Sequence, residues 1–187
     1  MPDELLDVVS DDDVVTGRNM RSVVHQLGLQ HRGVHIFLFT RAGRLLVQRR
    51  SKDRAVSPSL LDCSISEHVQ AGEDYLTAAK RGMKEEMGLE EIGLRPIVTF
   101  RMNYGPNDNE ISQLFQGSVD PSLVQFDPVE IEQVAYYSLA ELLELMRVKE
   151  VAFCTWFVQI VRWAIGEPSR LHVLKIHKDV HLPWMLS

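Results

Sequence analysis

Acidic and basic residues cluster between residues 67 and 88 with a spacing that suits a hard cation. Glu85 and Glu86 are adjacent, Arg81 lies four residues before Glu85, and Glu73 lies eight residues before the arginine. Clustered carboxylate oxygens suit Mg²⁺ or Mn²⁺, which keep several waters and take their remaining ligands from substrate phosphates. These residues therefore predict phosphate chemistry assisted by a divalent metal.

A single helix must position these carboxylates. The spacing predicts a helix from Asp74, as the N-cap, to Gly88, just past its last residue. Its buried face is formed by apolar residues at three- and four-residue spacings, namely Leu76, Ala79, Met83 and Met87. Residues 82, 85 and 86 share another face, so Glu85 and Glu86 are the predicted primary metal ligands.

This segment resembles the Nudix box, which reads Gly, five residues, Glu, seven residues, Arg-Glu-hydrophobe-any-Glu-Glu-any-Gly-hydrophobe. The residues in register are Glu73, Arg81, Met83, Glu85, Glu86, Gly88 and Leu89. The resemblance implies a divalent metal and a small-molecule diphosphate substrate. Arg81 is expected to pair with Glu73 and brace the loop against the helix, while Gly88 ends the helix.

Two departures from the box fall on the same site. Gly82 replaces a glutamate, which removes one carboxylate and costs about 1 kcal/mol relative to alanine inside a helix. Glu67 replaces the opening glycine, where a small residue allows close backbone approach to an ion. In the family fold Glu67 faces the box helix, so we expect it to supply the missing carboxylate. The alternative is a binding or regulatory module that kept the fold and lost catalysis.

Segments outside the box resemble the Nudix branch of type I isopentenyl diphosphate isomerases and their hydrolase-like relatives. The resemblance spans roughly residues 4 to 147 and rests on residues 5–9, 31–35, 46–51 and the box. In that isomerase three histidines and two glutamates hold a divalent metal, while a cysteine and a glutamate transfer protons. The resemblance thus implies a second set of metal-binding positions.

Five residues of this chain fall at or near those metal positions. His31 and His68 match two of the histidines, and His25 reaches the third with a shift of one residue. Glu110 falls at the catalytic glutamate position, and Asp108 at the other glutamate. Such an imidazole-rich set suits Zn²⁺, Mn²⁺ or iron better than Mg²⁺.

The residue at the cysteine position is Ser66, which disfavours isomerisation. A serine hydroxyl has a pKa far above the value near 8.5 of cysteine, so it cannot deliver a proton as a thiol does. We therefore rank hydrolysis of a diphosphate linkage above isomerisation. His35 is interpreted as a structural residue.

The remaining predicted roles are proton transfer and phosphate binding. Glu110 is the predicted general base, ahead of Glu130 and Glu132, and completes the predicted catalytic set with Glu85 and Glu86. Three basic residues after a predicted strand are expected to bind phosphate oxygens, with a solvent-facing strand end as the alternative. They are Arg49, Arg50 and Lys52.

Composition fits one domain of 187 residues, with 45% apolar and 25% charged residues. We expect a core over residues 4–165 and a C-terminal extension over 166–187. A net charge of −6 argues against nucleic acid as a partner. Without a long apolar run or a basic leader, we expect no membrane partner and a cytoplasmic location. Apolar helices near the C-terminus are compatible with a homodimer.

The order of predicted elements indicates an α+β fold, an α/β/α sandwich with a mixed β-sheet flanked by helices. The predicted strands are 5–9, 14–15, 34–39, 45–49, 96–104, 111–119 and 132–137, with one more before the box. After the box helix, the predicted helices are 138–146 and 150–165. The tail from 170 to 187, with Trp184 to Leu186, is expected to pack on the body or on a second subunit.

Overall fold

Ten strands and four helices make up the part of the chain that the structure, a computed structural model, describes: residues 3–148 and 152–177. The strands are β1 (Leu5–Val9), β2 (Val15–Met20), β3 (His31–Phe39), β4 (Leu45–Arg50), β5 (Leu61–Asp62), β6 (Ile65–His68), β7 (Arg95–Gly105), β8 (Asp108–Ser118), β9 (Ile131–Tyr137) and β10 (His172–Ile176). The helices are α1 (Arg21–Leu27), α2 (Tyr75–Met87), α3 (Leu139–Arg147) and α4 (Thr155–Ala164).

Strand β3 lies inside the sheet, and all but one of its residues are buried. It runs parallel to β8, with His31 opposite Glu110, and antiparallel to β6, with His35 opposite Ser66. The sheet continues from β3 through β1 to β2 on one side and through β8 and β7 to β10 on the other. Strand β4 joins the end of β3 and pairs with β5 and β9. The predicted mixed sheet is confirmed.

Helices cover both faces of this sheet because alternate side chains of β3 point to opposite sides. On one face, Ile36 and its neighbours form a buried cluster with α2, including Met83. On the other face, Phe37 belongs to a second buried cluster with Phe157 and Ile160 of α4. The architecture is thus the predicted α/β/α sandwich.

Helix α2 begins and ends as predicted. The Asp74 side chain accepts a 2.7 Å hydrogen bond from the Thr77 N–H, and Gly88 adopts a left-handed conformation with φ of 65°. The buried face differs from the prediction, because Leu76 is 39% exposed. Its buried residues are Ala78, Ala79, Gly82, Met83, Glu86 and Met87. Residues 82 and 86 therefore face the protein while Glu85 faces solvent, so the expected common face of 82, 85 and 86 is wrong.

The elements that the sequence prediction missed or made too short include α1, β2 and β10. Helix α1 has no predicted counterpart, because it has seven residues, no side-chain cap and only Val24 buried. Strand β2 is longer than predicted and fully exposed, so it lacks the alternation that would have marked it. Strand β10 lies within the expected C-terminal extension, where it pairs antiparallel with β7.

The second predicted C-terminal helix is shorter than expected. Helix α4 starts at Thr155 and not at residue 150, and residues 149–151 lie outside the described part of the chain. The expected packing of the tail around Trp184 also lies outside the described residues. Among the helices that the structure describes, none has the length and apolarity needed to cross a membrane.

Candidate metal and diphosphate site

Three carboxylates meet where α2, β6 and the loop before β9 come together. Ligand oxygens of Glu67, Glu86 and Glu130 all lie within 4.8 Å of one another. Glu86 accepts a 2.8 Å hydrogen bond from Gln48 through Oε2, whereas its buried Oε1 has no partner. Burial raises the pKa of Glu86 well above its usual range, and the charge of Glu67 adds to the rise. A cation here would relieve both effects.

The side chain of Glu67 fills the space that Gly82 leaves open. A Cβ atom placed on Gly82 would lie 2.7 Å from the Glu67 Cγ and 3.0 Å from the Ile65 Cγ2. The two departures from the Nudix box are therefore sterically complementary. A glutamate on the strand occupies the place beside the helix that a side chain at 82 would need.

Glu85 does not join this acidic cluster. Its side chain is 59% exposed and accepts a 3.2 Å bond from Arg81, one turn earlier on α2. Arg81 also contacts both oxygens of Glu73 at 3.0 and 3.2 Å, Glu67 at 3.2 Å and the His68 carbonyl at 2.9 Å. Glu73 and Arg81 thus brace the loop and helix, and Glu85 belongs to that ion-pair network.

The three histidines of the predicted second site lie together. Ring centroids are 4.9 Å apart for His25 and His31, 5.4 Å for His25 and His68, and 5.2 Å for His31 and His68. Burial, followed by the charges of the neighbouring His31 and His68, lowers the pKa of His25 to about 4. His25 is therefore a neutral imidazole at physiological pH, which is the form that binds metals.

Two acidic residues complete the histidine cluster. Glu110 Oε1 lies 3.6 Å from His31 Nε2 and 3.9 Å from His68 Nε2, and Asp108 Oδ1 lies 3.5 Å from His25 Nδ1. Burial, followed by the charge of Glu110, raises the pKa of Asp108 to about 6. Burial opposes ionisation of Glu110 too, but contact with His31 and its charge lower the pKa of Glu110 to about 2.

Buried atoms without partners show that this cluster fits a cation. His25 Nε2, His31 Nε2 and Asp108 Oδ1 are each buried and make no hydrogen bond to the described residues. A buried polar atom left unpaired costs about 1–3 kcal/mol, and a cation bound within the cluster would offset that cost. Imidazole and carboxylate donors suit Zn²⁺ or Mn²⁺ at this position.

A pocket of about 360 Å³ lies against these residues. Its wall includes Glu67, His68 and Glu110, and three arginines supply positive charge: Arg21, Arg50 and Arg54. The Arg21 Nε is buried without a partner. This combination of cations and carboxylates suits a substrate with several phosphate oxygens.

Of the three predicted phosphate-binding residues, only Arg50 lines this pocket. Arg49 lies next to it on β4 and points the other way, donating a 3.0 Å bond to the Ser59 carbonyl. Lys52 is exposed in the following turn. Arg21 and Arg54 take the places expected for Arg49 and Lys52. Arg21 was missed because the helix that carries it was missed.

The inner wall of the pocket contains residues with no predicted role. His35, Tyr104 and Trp156 line it together with Ser66, which occupies the cysteine position of the isomerase resemblance. His35 is 4% exposed and contacts both Ser66 and Tyr104. The available signal for His35 was a polar residue flanked by apolar Val34 and Ile36, and His35 was interpreted as structural. Trp156 is far away in sequence, and no short motif marks it.

Comparison with known proteins agrees with this geometry. Residues 29–157 match the NUDIX domain family. The chain belongs to the Nudix family. An isopentenyl-diphosphate Delta-isomerase of Serratia proteamaculans is 32% identical over 164 residues, which cover 86% of this chain and 90% of the relative. A Nudix hydrolase of Streptomyces coelicolor is 32% identical over 149 residues, covering 76% of this chain and 77% of that protein.

Solved structures place the chain in the same Nudix fold. The protein DR0079 from Deinococcus radiodurans superposes with a TM-score of 0.71 at 26% identity, covering 86% of this chain and 98% of that one. A MutT protein from Methanosarcina mazei superposes with a TM-score of 0.58 at 18% identity, covering 72% and 94% of the two chains. The predicted resemblance to Nudix proteins and their isomerase-related branch is confirmed.

Gly82→Ala is expected to destabilise the metal-free protein by about 1–3 kcal/mol, because the new methyl group overlaps the Glu67 Cγ. This loss outweighs the gain of about 1 kcal/mol in helix propensity. In a Glu67→Ala background the cost should fall by at least about 1 kcal/mol. Denaturant unfolding in the presence of EDTA measures the free energy of unfolding of the parent, the two single variants and the double variant. Gly93→Ala, with nothing near its added Cβ, is the control. If Gly82→Ala costs as much stability in the Glu67→Ala background as in the parent, the predicted contact is contradicted.

Zn²⁺ at about 100 times its Kd should raise the free energy of unfolding by about 2.7 kcal/mol. The variant His31→Ala/His68→Ala should lose most of this gain, since it removes two imidazoles of the cluster. Thermal unfolding with and without Zn²⁺, together with calorimetric titration, measures the effect. His172→Ala, an exposed histidine on β10, should behave like the parent. Unchanged Zn²⁺ affinity in the double variant would exclude the histidine site.

Proposed function

We propose that this protein hydrolyses a diphosphate linkage in a small molecule and uses a divalent metal to do so. The observation that carries the proposal is the cluster of Glu67, Glu86 and Glu130, with a buried and unpartnered oxygen on Glu86. Glu67 also lines the pocket, so one of the three glutamates shares its wall with the arginines. Membership of the Nudix family supports the same chemistry.

Each cluster has its own role in the proposed reaction. The three glutamates would hold Mg²⁺ or Mn²⁺, and the histidine cluster would hold Zn²⁺ or Mn²⁺ through His25, His31, His68, Asp108 and Glu110. When bound, such ions neutralise charge on the diphosphate and lower the pKa of a bound water. The arginines orient the diphosphate oxygens.

Glu110 is better suited to hold a metal than to act as a general base. Its Oε2 accepts a 2.9 Å bond from Ser112, and its Oε1 faces His31 and His68. A carboxylate whose two oxygens are engaged and whose pKa is lowered has little tendency to take a proton. Glu132 is exposed on β9, and Glu130 pairs with Arg54 at 2.6 Å. We therefore assign Glu110 as a ligand.

The organic part of the substrate is expected to be small. The aromatic and apolar part of the lining is formed by Trp156, Tyr104 and Val56. Arg50 lies over the Trp156 ring at 5.8 Å, which holds the indole at the side of the pocket. A pocket of about 360 Å³ with one apolar wall fits a short alkyl diphosphate. Relatives named isopentenyl-diphosphate Delta-isomerase support this substrate class.

Phosphate or pyrophosphate release tests the proposal on short prenyl diphosphates, nucleotide sugars, dinucleotides and nucleoside di- and triphosphates. With Mg²⁺ or Mn²⁺, we expect turnover that falls at least about 100-fold in Glu86→Gln, because the central ligand is removed. Glu90→Gln, which changes an exposed acid just beyond α2, should keep full activity. Absence of turnover on every substrate and metal would reject hydrolysis and favour a binding module.

Isomerisation of an alkyl diphosphate is a second candidate function. The observation that favours it is the assembled cluster of three histidines and two acidic residues, which matches the metal positions of the isomerase resemblance. Ser66 stands against it, since the pocket contains a hydroxyl where that chemistry uses a thiol.

Ser66→Cys separates the two candidates. If the pocket retains isomerase geometry, the thiol should raise isomerisation of isopentenyl diphosphate at least about 10-fold, because a group with a pKa near 8.5 transfers protons far more readily than a hydroxyl. Proton NMR of the reaction in deuterated water detects the allylic product. Ser22→Cys, a thiol at the rim of the pocket, is the control. An unchanged rate would rule out isomerisation.

A further inference from the structure

A continuous chain of hydrogen bonds connects the Ser66 hydroxyl to the Glu110 carboxylate. Ser66 Oγ lies 3.0 Å from His35 Nδ1, and His35 Nε2 lies 3.0 Å from the Tyr104 hydroxyl. The Tyr104 hydroxyl lies 2.9 Å from Ser112 Oγ, which donates to Glu110 Oε2 at 2.9 Å. Ser66 and His35 line the pocket, so one end of this chain reaches the substrate.

The carboxylate at the far end fixes the direction of every bond in the chain. A carboxylate only accepts, so Ser112 must donate to Glu110 and must accept from Tyr104. Tyr104 has a single proton, so its oxygen must accept from the Nε2–H of His35. His35 Nδ1 is therefore the unprotonated nitrogen of the ring, and it is available to accept the proton of Ser66.

A second acceptor within reach of Ser66 is less suitable. Asp62 Oδ1 lies 3.2 Å from Ser66 Oγ, but it already accepts shorter bonds of 2.5 Å from Trp156 Nε1 and 2.7 Å from the Cys63 N–H. The other oxygen of Asp62 is paired with Arg50 at 3.0 Å. The Ser66 proton is thus better accepted by His35, as in nucleophile–base pairs of hydrolases.

We propose that Ser66 and His35 form the proton-exchanging pair of this pocket, in which Ser66 meets the attacking water and His35 acts through it. The proposal rests on the hydrolysis proposed above and supplies the base that Glu110 does not. It also gives a role to the hydroxyl at the cysteine position. A hydroxyl that gives up one proton as it receives another does not have to become an alkoxide.

The proton balance of the step is closed. As the water oxygen bonds to phosphorus, its proton passes to Ser66 Oγ and the Ser66 proton passes to His35 Nδ1. The bond from phosphorus to the leaving oxygen breaks, and that oxygen takes a proton from Ser66 while His35 returns its extra proton to Ser66. Ser66 and His35 end as they began, and the water has been divided between the two products.

The surroundings of His35 suit this role. The ring is buried and stacks on Phe100 with centroids 6.1 Å apart, so its orientation is held. Burial lowers the pKa of His35, which keeps the ring neutral and able to accept a proton. When it does so, the charges of Glu110 and Asp62 stabilise the cation.

The test compares Ser66→Ala, His35→Gln and the double variant, with turnover measured on the best substrate of the panel. Each single change should lower kcat by about 10²–10⁴-fold, as expected for loss of a general base, with KM and the metal-induced thermal shift unchanged. The double variant should be no slower than the slower single variant, because the two residues act as one unit. Ser118→Ala, which removes an exposed hydroxyl at the far end of β8, is the control and should keep the kcat of the parent.

Two results would overturn the pair and leave hydrolysis standing. The first is a Ser66→Ala variant whose kcat stays within threefold of the parent while turnover still depends on Glu86. The second is a double variant in which the two losses of kcat multiply. If His35→Gln does not fold, Tyr104→Phe replaces it. This change removes the acceptor of the His35 Nε2–H and should lower kcat at least about tenfold, and an unchanged kcat would also overturn the pair.

A labelling experiment tests the pair without measuring turnover. Failure of the pair can then be distinguished from failure of the proposed hydrolysis. Ser66 Oγ should attack a small fluorophosphonate, forming an O–P bond as fluoride leaves and His35 takes the proton. Mass spectrometry should find one adduct on Ser66 in the parent and none in His35→Gln or Tyr104→Phe. An adduct on Ser66 in a parent that lacks turnover would support the pair and reject hydrolysis, whereas an unlabelled parent would overturn the pair.

Discussion

The register of β3 between β6 and β8 is the constraint on which the rest of the site depends. It places His31 opposite Glu110 on one neighbour and His35 opposite Ser66 on the other. A slip of one residue would turn each of these side chains to the opposite face. Because both faces of β3 are packed in buried clusters, such a slip would also place its apolar side chains in the wrong cluster. The same packing energy that fixes the fold therefore fixes the distances within the site.

A second constraint is the cost of burying groups that lack partners. The histidine cluster and the acidic cluster each contain buried atoms with no hydrogen bond among the described residues. Neither arrangement is favourable in isolation, since burial raises the pKa of Glu86 and lowers that of His25. Under the proposed function, cations bound at these two places would offset the costs of burial. Such binding would also raise the free energy of unfolding.

Sequence reasoning was strongest where a signal is local. The periodicity of α2, its cap at Asp74 and the β-rich run of β3 follow from neighbours in the chain. The predicted metal-binding positions came from the family resemblance, and their proximity required tertiary structure. Arg21 and Trp156 were missed because a short, weakly buried helix and a distant helix carry no motif. Glu85 was predicted to join Glu86 at the metal because the sequence shows that it is acidic. The sequence does not show its ion pair with Arg81, which directs the side chain away from the acidic cluster.

The complementary shapes of Glu67 and Gly82 limit the evolutionary paths that lead to this sequence. The Nudix pattern has glycine at the position of Glu67 and glutamate at the position of Gly82. With the glutamate still present on the helix, a glutamate at 67 would need space that is already filled, as the 2.7 Å approach shows. An exchange that began at position 82 would pass through glycine at both positions, with one carboxylate fewer. An exchange that began at position 67 would pass through two glutamates in steric conflict.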